Sequence, residues 1–293
     1  MKALVFTGLL VAQSATASPY TILYGDWQQN AKGSQSFNLQ GALQRSHYIN
    51  QPEFSSDGKK LLFTEQTGLK PLETDIFYLE LAKAAKVAPQ PLRVTPFGEF
   101  SATPYQQGYS VVRVEADGTQ RLWWLSANGE KLLLPDVVGV GYHAWGKQQD
   151  LMMFLLADDK QPHRVVYRSP NGEMHLLNTH PGRSFVYDAK QDWFYFTAPK
   201  AGAAPDSPLQ LWRFRQGNAN AEWVSSLPAE GKDMALTPQG ELIISAKQQL
   251  WHWQQGQWQL WLDASQYCEG IVTRFKFNQT NQQLALVCEE EKP

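Results

Sequence analysis

Four basic side chains in separate parts of the chain are the strongest candidates for a binding site. Each lies at or near the start of a β-prone run, and they are His47, Arg183, Lys232 and Arg274. Guanidinium groups hold carboxylates through paired hydrogen bonds, so converging cations would accept an acidic group such as a chain terminus or an acidic loop. The alternative is that each cation pairs with a neighbouring carboxylate, such as Glu269 or Asp233, and only fastens the structure together.

Motifs for covalent or cofactor chemistry are absent from the sequence. It contains no G-x-S-x-G, H-E-x-x-H or G-x-x-x-x-G-K-[ST] pattern, so hydrolase, zinc-peptidase and P-loop chemistry lack their usual support. The stretch "GVGYHA" from Gly139 leads into a strand-like run, which argues against a dinucleotide site. The histidines are not expected to converge on a metal. We therefore predict a protein that is not an enzyme and has no cofactor and no metal.

Composition and charge narrow the range of partners. The chain has 293 residues, of which 43% are hydrophobic, 12% aromatic and 18% charged. Such a chain can bury a large core and is not typical of a disordered protein. The formal net charge of -2 provides no overall positive field to attract phosphates. Nucleic acid is therefore not expected as a partner.

The N-terminus has the features of a secretory signal peptide. Lys2 is followed by the apolar run "ALVFTGLLVA", and an A-x-A cleavage site ends at Ala17. We predict a signal peptide over residues 1–17, cleavage between Ala17 and Ser18, and export through the Sec pathway to the periplasm. A membrane anchor is the alternative, but the apolar run is far shorter than the ~20 residues that a bilayer core requires. No later segment approaches that length, so no transmembrane segment is expected in the mature chain.

A recurring motif predicts the elements that position the basic residues. The stretch "FSSDGKKLLFTE" from Phe54 contains an apolar residue, a polar turn and a β-prone apolar run. This order predicts a strand, a tight turn and a second strand. The pattern recurs roughly every 40 to 50 residues, a period typical of repeat folds. The further copies begin at Tyr105, Trp145, Tyr187, Leu236 and Phe277.

A second series of β-rich hairpins lies between these copies. Such hairpins follow the first five copies and begin at Asp75, Gln120, His163, Leu209 and Gln249. The copy at Phe277 has no following hairpin, but "YTILYGDWQQNAKGSQSFNLQ" from Tyr20 has the same form and precedes the first copy. The two half-units at opposite ends therefore complement each other.

These hairpins predict an all-β fold, a six-bladed β-propeller with four-stranded antiparallel blades. We expect residues 18–293 to form this single domain, with the N-terminal strands closing the last blade. Closure of that kind removes exposed sheet edges. A β-sandwich is the alternative, but it would not explain the complementary half-units.

The blade containing "FSSDGKKLLFTE", "DIFYLEL" and "LRVT", residues 54–95, resembles the repeat of the TolB-like six-bladed propellers, a WD-repeat-like periplasmic family. TolB itself carries an additional N-terminal domain, and we expect this chain to lack it. The resemblance implies a periplasmic propeller that works by binding. A protein or peptide of the periplasm or envelope is therefore the expected partner, and a monomer is the expected state.

The propeller prediction also gives the basic residues a common position. Innermost strands begin on the face that carries the inter-blade loops, so the four basic side chains should ring the channel mouth on that face. The long connections at residues 65–75 and 198–208 should emerge there too, and functional loops collect on rigid scaffolds in this way. The alternative function is a propeller enzyme or carbohydrate-binding protein with a site at the central channel, for which Asp158 and Asp159 are candidate carboxylates.

The two cysteines should lie on one blade. Cys268 precedes the last inner hairpin and Cys288 ends its second strand, in a compartment that permits disulfides. We predict that they pair. Two buried free thiols are the alternative.

Overall fold

The structure, a computed structural model, describes residues 20–29, 35–70 and 72–290. The predicted signal peptide, with its cleavage between Ala17 and Ser18, lies outside the described residues. The described part contains 24 strands in six separate four-stranded sheets. The prediction of an all-β, six-bladed propeller is therefore confirmed. No helix in these residues is long and apolar enough to cross a bilayer.

The chain first forms the hairpin of β1 (Tyr20–Gln29) and β2 (Gln35–Arg45). Five complete blades then follow in chain order. The first blade contains β3 (Ile49–Phe54), β4 (Lys60–Gln66), β5 (Thr74–Glu80) and β6 (Gln90–Pro91), and the second contains β7 (Gly98–Tyr105), β8 (Gly108–Val114), β9 (Gln120–Ser126) and β10 (Gly129–Leu132). The third blade contains β11 (Val140–Trp145), β12 (Leu151–Leu155), β13 (Arg164–Arg168) and β14 (Met174–Thr179), and the fourth contains β15 (Phe185–Asp188), β16 (Trp193–Ala198), β17 (Gln210–Phe214) and β18 (Glu222–Ser226). The fifth blade contains β19 (Gly231–Leu236), β20 (Leu242–Ala246), β21 (Gln249–Gln254) and β22 (Gln257–Asp263). The last strands are β23 (Ile271–Phe277) and β24 (Gln283–Glu289).

The sixth blade is divided between the two ends of the chain, as the complementary half-units predicted. Its strand order is β2-β1-β24-β23, and β1 pairs with β24 from Tyr20 opposite Glu289 to Asp26 opposite Gln283. Trp27 of β1 packs against Trp261 of the fifth blade, with ring centroids 5.2 Å apart. The first strand is thus fastened by a full ladder and by an aromatic contact to the neighbouring blade.

A disulfide strengthens the same blade. Cys268, in the connection before β23, is bonded to Cys288 of β24, and their Cα atoms are 5.6 Å apart. Both cysteines are buried in the apolar cluster that also contains Trp27. The predicted pairing of the cysteines is confirmed.

The second strand of each blade forms the densest part of the core. β12, β16 and β20 are buried at every position, because neighbouring blades cover both faces of the sheet. Leu62 of the first blade and Val111 of the second, for example, belong to one buried cluster between those blades. Near-continuous apolar runs suit such strands, since both faces of the strand must be apolar.

Copies of the recurring motif form a similar hydrogen-bonded turn, even where their residues differ from those of the first copy. In the first copy Ser55 Oγ accepts the backbone N–H of Lys60 at 3.0 Å. At equivalent positions, the side chains of Asp188, Thr237 and Asn278 each accept a backbone N–H of their own turn at 2.9–3.1 Å. A short polar side chain can replace a missing backbone partner in a turn. These more divergent copies therefore keep the hydrogen bond from a side chain to the backbone that stabilises the turn.

The outer half of the first blade differs from the predicted hairpin of two β-rich runs. Its edge strand β6 is only two residues long, and a short 3-10 helix, Leu81–Lys83, lies between β5 and β6. Pro89 and Pro91 explain the difference, because proline has no N–H to donate to a ladder.

Candidate functional site

The innermost strands line a central channel, and most of them are bulged. Register shifts interrupt the pairing of β3, β7, β11, β19 and β23 with their second strands. In β3 and β7 the backbone is left-handed at Gln51 (φ 58°) and Ser101 (φ 55°). The side-chain oxygen of Gln51 accepts hydrogen bonds from Ser101 N and from Thr64 Oγ1, both at 2.8 Å. Bulges of this kind re-aim side chains, here along the channel wall.

Two of the four predicted basic residues line a small cavity of about 100 Å³ inside the channel. Arg183 and Arg274 contribute to it from neighbouring parts of the ring, with Tyr142 and Asp233 beside them. We call it the mouth cavity, because its lining comes from the starts and middles of the innermost strands. Arg274 Nη1 lies 3.7 Å from Asp233 Oδ1, and its guanidinium carbon lies 5.0 Å from the centroid of the Tyr142 ring.

Arg183 has a different environment from Arg274. Its Nη2 donates a hydrogen bond to the carbonyl oxygen of Thr273 at 3.1 Å. Among the described residues, no carboxylate lies within ion-pair distance of its guanidinium group. Arg183 is therefore a half-buried cation whose charge is not balanced by a direct partner.

The other two basic residues lie outside the lining of the mouth cavity. His47 Nε2 is 3.0 Å from Glu65 Oε1, an oxygen that also accepts a hydrogen bond from Arg45 Nε at 2.8 Å. Lys232 is exposed, and within the described part of the chain no acidic side chain pairs with it. The structure thus places Arg183 and Arg274 in the same cavity, whereas His47 pairs with the carboxylate of Glu65 on β4.

Glu289 joins the blades on either side of the ring closure. Its Oε1 accepts hydrogen bonds from Asn50 Nδ2 at 2.7 Å and from Thr273 Oγ1 at 2.8 Å. Burial raises the pKa of the nearby Tyr48, an effect that the Arg274 charge opposes and the Glu289 charge reinforces. Burial also disfavours the charge of Arg274, but Asp233, Tyr142, Tyr48 and Glu289 together outweigh the burial, so the pKa of Arg274 lies above its ordinary value. Ionised and hydrogen-bonded side chains are therefore concentrated at the mouth end of the channel.

A larger cavity of about 520 Å³ occupies the opposite end of the channel, where the inner hairpins turn. We call it the turn-side cavity. Rings and prolines supply much of its wall, namely Phe54, Pro104, Trp145, Tyr187, Pro238 and Phe277. Its innermost residues are shared with the mouth cavity, and they are Glu53, Thr103, His143, Phe185, Val186 and Lys276. The two cavities therefore adjoin each other at this shared ring.

Sequence reasoning did not find the polar residues of the shared ring. Glu53 and Lys276 each stand immediately before the apolar residue of the motif, Phe54 and Phe277. Lys276 Nζ and Glu53 Oε2 lie 2.7 Å apart, although 223 positions separate them in the chain. A charged residue next to the motif is the sequence signal that could have indicated them.

His143 is the third ionisable residue of the shared ring, after Glu53 and Lys276. It is 92% buried, and its Nε2 lies 2.6 Å from Ser110 Oγ. Its Nδ1 has no hydrogen-bond partner among the described residues. Burial, with a smaller contribution from the Lys276 charge, lowers the pKa of His143 to about 3. The imidazole is therefore neutral at neutral pH, and its unpartnered nitrogen is closed off from solvent.

The candidate acids of the alternative function lie away from the channel lining. Asp158 is in the connection between β12 and β13, where its Oδ2 accepts a hydrogen bond from Arg164 at 3.2 Å. Neither Asp158 nor Asp159 lines the mouth cavity or the turn-side cavity. Within the described ranges, no group of three or more His, Cys, Asp or Glu side chains is arranged to hold a metal ion.

Six four-stranded blades around an open channel, closed by strands from both termini, define a six-bladed β-propeller. No family model matches the sequence, and no curated protein matches it either. Solved structures do match, and they show that the chain has the TolB-like propeller fold. A putative TolB from Agrobacterium tumefaciens is 13% identical, with a TM-score of 0.68 over 94% of this chain and 99% of that one.

Two further matching structures are described as enzymes. A gluconolactonase from Xanthomonas campestris is 12% identical, with a TM-score of 0.59 over 83% of this chain and 86% of that one. Virginiamycin B lyase from Staphylococcus aureus is 12% identical, with a TM-score of 0.52 over 94% of this chain and 96% of that one. The prediction that the chain is not an enzyme is therefore wrong, because it rested on missing motifs, and proteins with the same architecture are enzymes. Missing hydrolase and metal motifs do not exclude catalysis on this fold.

Proposed function

We propose that this chain is a periplasmic propeller that binds an acidic group of a partner protein or peptide at the mouth cavity. One observation carries the proposal, the unbalanced charge of Arg183 beside Arg274. Three cations and two carboxylates line the mouth cavity, which leaves one positive charge without a counterpart. A partly desolvated cation of this kind is stabilised when a carboxylate binds it.

The size of the mouth cavity limits the group that can enter. A volume of about 100 Å³ accommodates one side-chain carboxylate or one chain terminus rather than a folded element. The rest of a partner must therefore lie on the loop-bearing face. The connection between β4 and β5 offers Leu69 and Leu72 there, and their side chains are 99% and 53% exposed. Exposed apolar residues on a loop favour contact with a protein surface.

The proposal can be tested by capture from an envelope extract on the immobilised mature chain. We expect Arg183→Ala to weaken capture of the bound partner about tenfold or more, because a charge-assisted hydrogen bond contributes roughly 1.5–3 kcal/mol. Wild-type capture should weaken with added salt. The matched control is Arg215→Ala, an exposed arginine in the β17–β18 turn on the opposite face.

Two outcomes would contradict the proposal. One is full capture by Arg183→Ala with an unchanged melting temperature. The other is full capture by Arg183→Ala with a lowered melting temperature, which would show that Arg183 only fastens the structure together.

A further inference from the structure

The turn-side cavity differs from the mouth cavity in charge. Two carboxylates and two ammonium groups line it, and each has a partner. Glu53 Oε2 pairs with Lys276 Nζ at 2.7 Å, and Lys190 Nζ donates to the carbonyl oxygen of Pro238 at 3.0 Å. Asp188 Oδ1 accepts the backbone N–H groups of its own turn. With a neutral His143, the lining has no net charge, so neither an anion nor a cation is favoured.

Unused hydrogen-bonding capacity remains in this neutral lining. The ammonium group of Lys276 has three donors, and the described residues use one of them. His143 Nδ1 is buried without a partner, as a donor or an acceptor according to which ring nitrogen carries the proton. Because this nitrogen is closed off from solvent, the accessible capacity is that of Lys276, whose remaining donors can bond hydroxyl oxygens. A ligand with several hydroxyl groups therefore fits the shared ring.

The wall of the cavity adds a preference for rings. Trp145 and Tyr187 line it together with Phe54 and Phe277. The indole nitrogen of Trp145 donates to Ser110 Oγ at 2.8 Å, so the ring is held in place before any ligand enters. Tyr105 stacks on one face of Trp145 with ring centroids 4.2 Å apart, so the other face is the one on which the apolar C–H face of a pyranose ring can pack. The volume of about 520 Å³ lies within the range of small-molecule sites.

We propose that the turn-side cavity binds a neutral monosaccharide or disaccharide, with Lys276 bonding its hydroxyl groups and Trp145 and Tyr187 packing on its ring. This site adjoins the acidic-group site proposed at the mouth cavity and shares Lys276 with its lining, but it takes a different class of ligand. Its ligand would enter from the face of the propeller that carries the turns of the inner hairpins, opposite the mouth cavity.

The test is saturation-transfer NMR on the mature chain with a panel of neutral sugars: glucose, galactose, N-acetylglucosamine, maltose and cellobiose. We expect saturable binding of at least one of them. Glucuronate and glucosamine serve as matched charged probes and should bind more weakly than glucose. Arg183→Ala should leave sugar binding unchanged, so failure of this site can be distinguished from failure of the mouth site.

Substitutions then locate the site. Lys276→Met should weaken binding of the sugar about tenfold, whereas Lys131→Met, an exposed lysine on β10, should not change it. If Lys276→Met does not fold, competition by the panel still decides the matter. No saturable binding by any neutral sugar, tighter binding of a charged probe, or full binding by Lys276→Met would each overturn the proposal.

Discussion

Lys276 of β23 and Glu53 of β3 form an ion pair of 2.7 Å across the junction between the last and first blades. Glu53 is nearly buried, and about a third of the Lys276 side chain is exposed. Glu53 Oε1 also accepts the backbone N–H of Phe54 at 2.9 Å. The pair therefore connects the closing blade to the first blade at the centre of the channel.

A double-mutant cycle with Lys276→Met and Glu53→Gln should show coupling. We expect about 1–2 kcal/mol in the free energy of unfolding, since the pair is partly desolvated but partly screened by solvent. The exposed pair Lys83–Glu80 is the control and should show no measurable coupling. Urea denaturation of the four proteins in each cycle measures it. Equal coupling in the two cycles would contradict a structural role for the channel pair.

Arg113 is a second test of stability, because its side chain is fully buried. Its guanidinium group bonds Glu99 Oε1 at 2.8 Å and Glu130 Oε2 at 2.9 Å, and it lies 4.3 Å from the ring centroid of Trp123. Arg113→Ala leaves Glu99 buried without its cation, so unfolding should become easier by about 3–5 kcal/mol. Arg121→Ala, at a half-exposed site on β9, should cost much less. Similar melting temperatures for the two variants would refute this expectation.

His143 predicts a pH dependence of stability. Its pKa is about 3 in the folded protein, and the ordinary value is 6.5. The unfolded chain therefore binds a proton that the folded chain does not, and stability falls as the pH decreases below about 6.5. Between pH 7 and pH 5 the wild type should lose about 2 kcal/mol more than His143→Gln.

Denaturant titrations at several pH values measure this difference. His175→Gln is the control, because His175 is exposed on β14 and its removal should leave the wild-type pH profile in place. Parallel pH profiles for wild type and His143→Gln would show that His143 is not held neutral.

Removal of the Cys268–Cys288 disulfide should destabilise the propeller. The bond closes a loop of 20 residues, and the chain-entropy model assigns about 3 kcal/mol to a loop of that size. We expect the double Cys→Ser variant to unfold at lower urea concentration than the oxidised wild type. Reduction of the wild type should reproduce the effect, and an unchanged midpoint after complete reduction would contradict it.

The exposed leucines of the β4–β5 connection should matter for binding but not for folding. Leu69→Ser together with Leu72→Ser should reduce partner capture while the melting temperature stays nearly constant, because neither side chain is in the core. Leu260→Ser is the control, since Leu260 is similarly exposed on the outer strand β22. Equal capture by both variants would remove this loop from the binding surface.

Local patterns in the sequence were sufficient to predict the architecture. A polar turn between apolar runs specifies a hairpin from residues that are close in the chain, as at Phe54 and Phe277. Regular recurrence of that hairpin specifies the blades, and the unpaired half-units at Tyr20 and Phe277 specify how the ring closes. The cysteine pairing followed, because both cysteines lie on one blade.

Which side chains line the channel was decided only by the tertiary structure. Glu53, His143 and Lys276 come from three blades, and nothing in their local sequence shows that they share one ring. Bulges on the innermost strands add to the difficulty, because a shift of one residue moves a side chain to the other face of a strand. Burial by neighbouring blades also lowers the pKa of His143, and this desolvation cannot be read from the chain near that residue. In the same way, only the folded structure shows that Arg274 has a carboxylate partner, Asp233, whereas Arg183 bonds a backbone carbonyl.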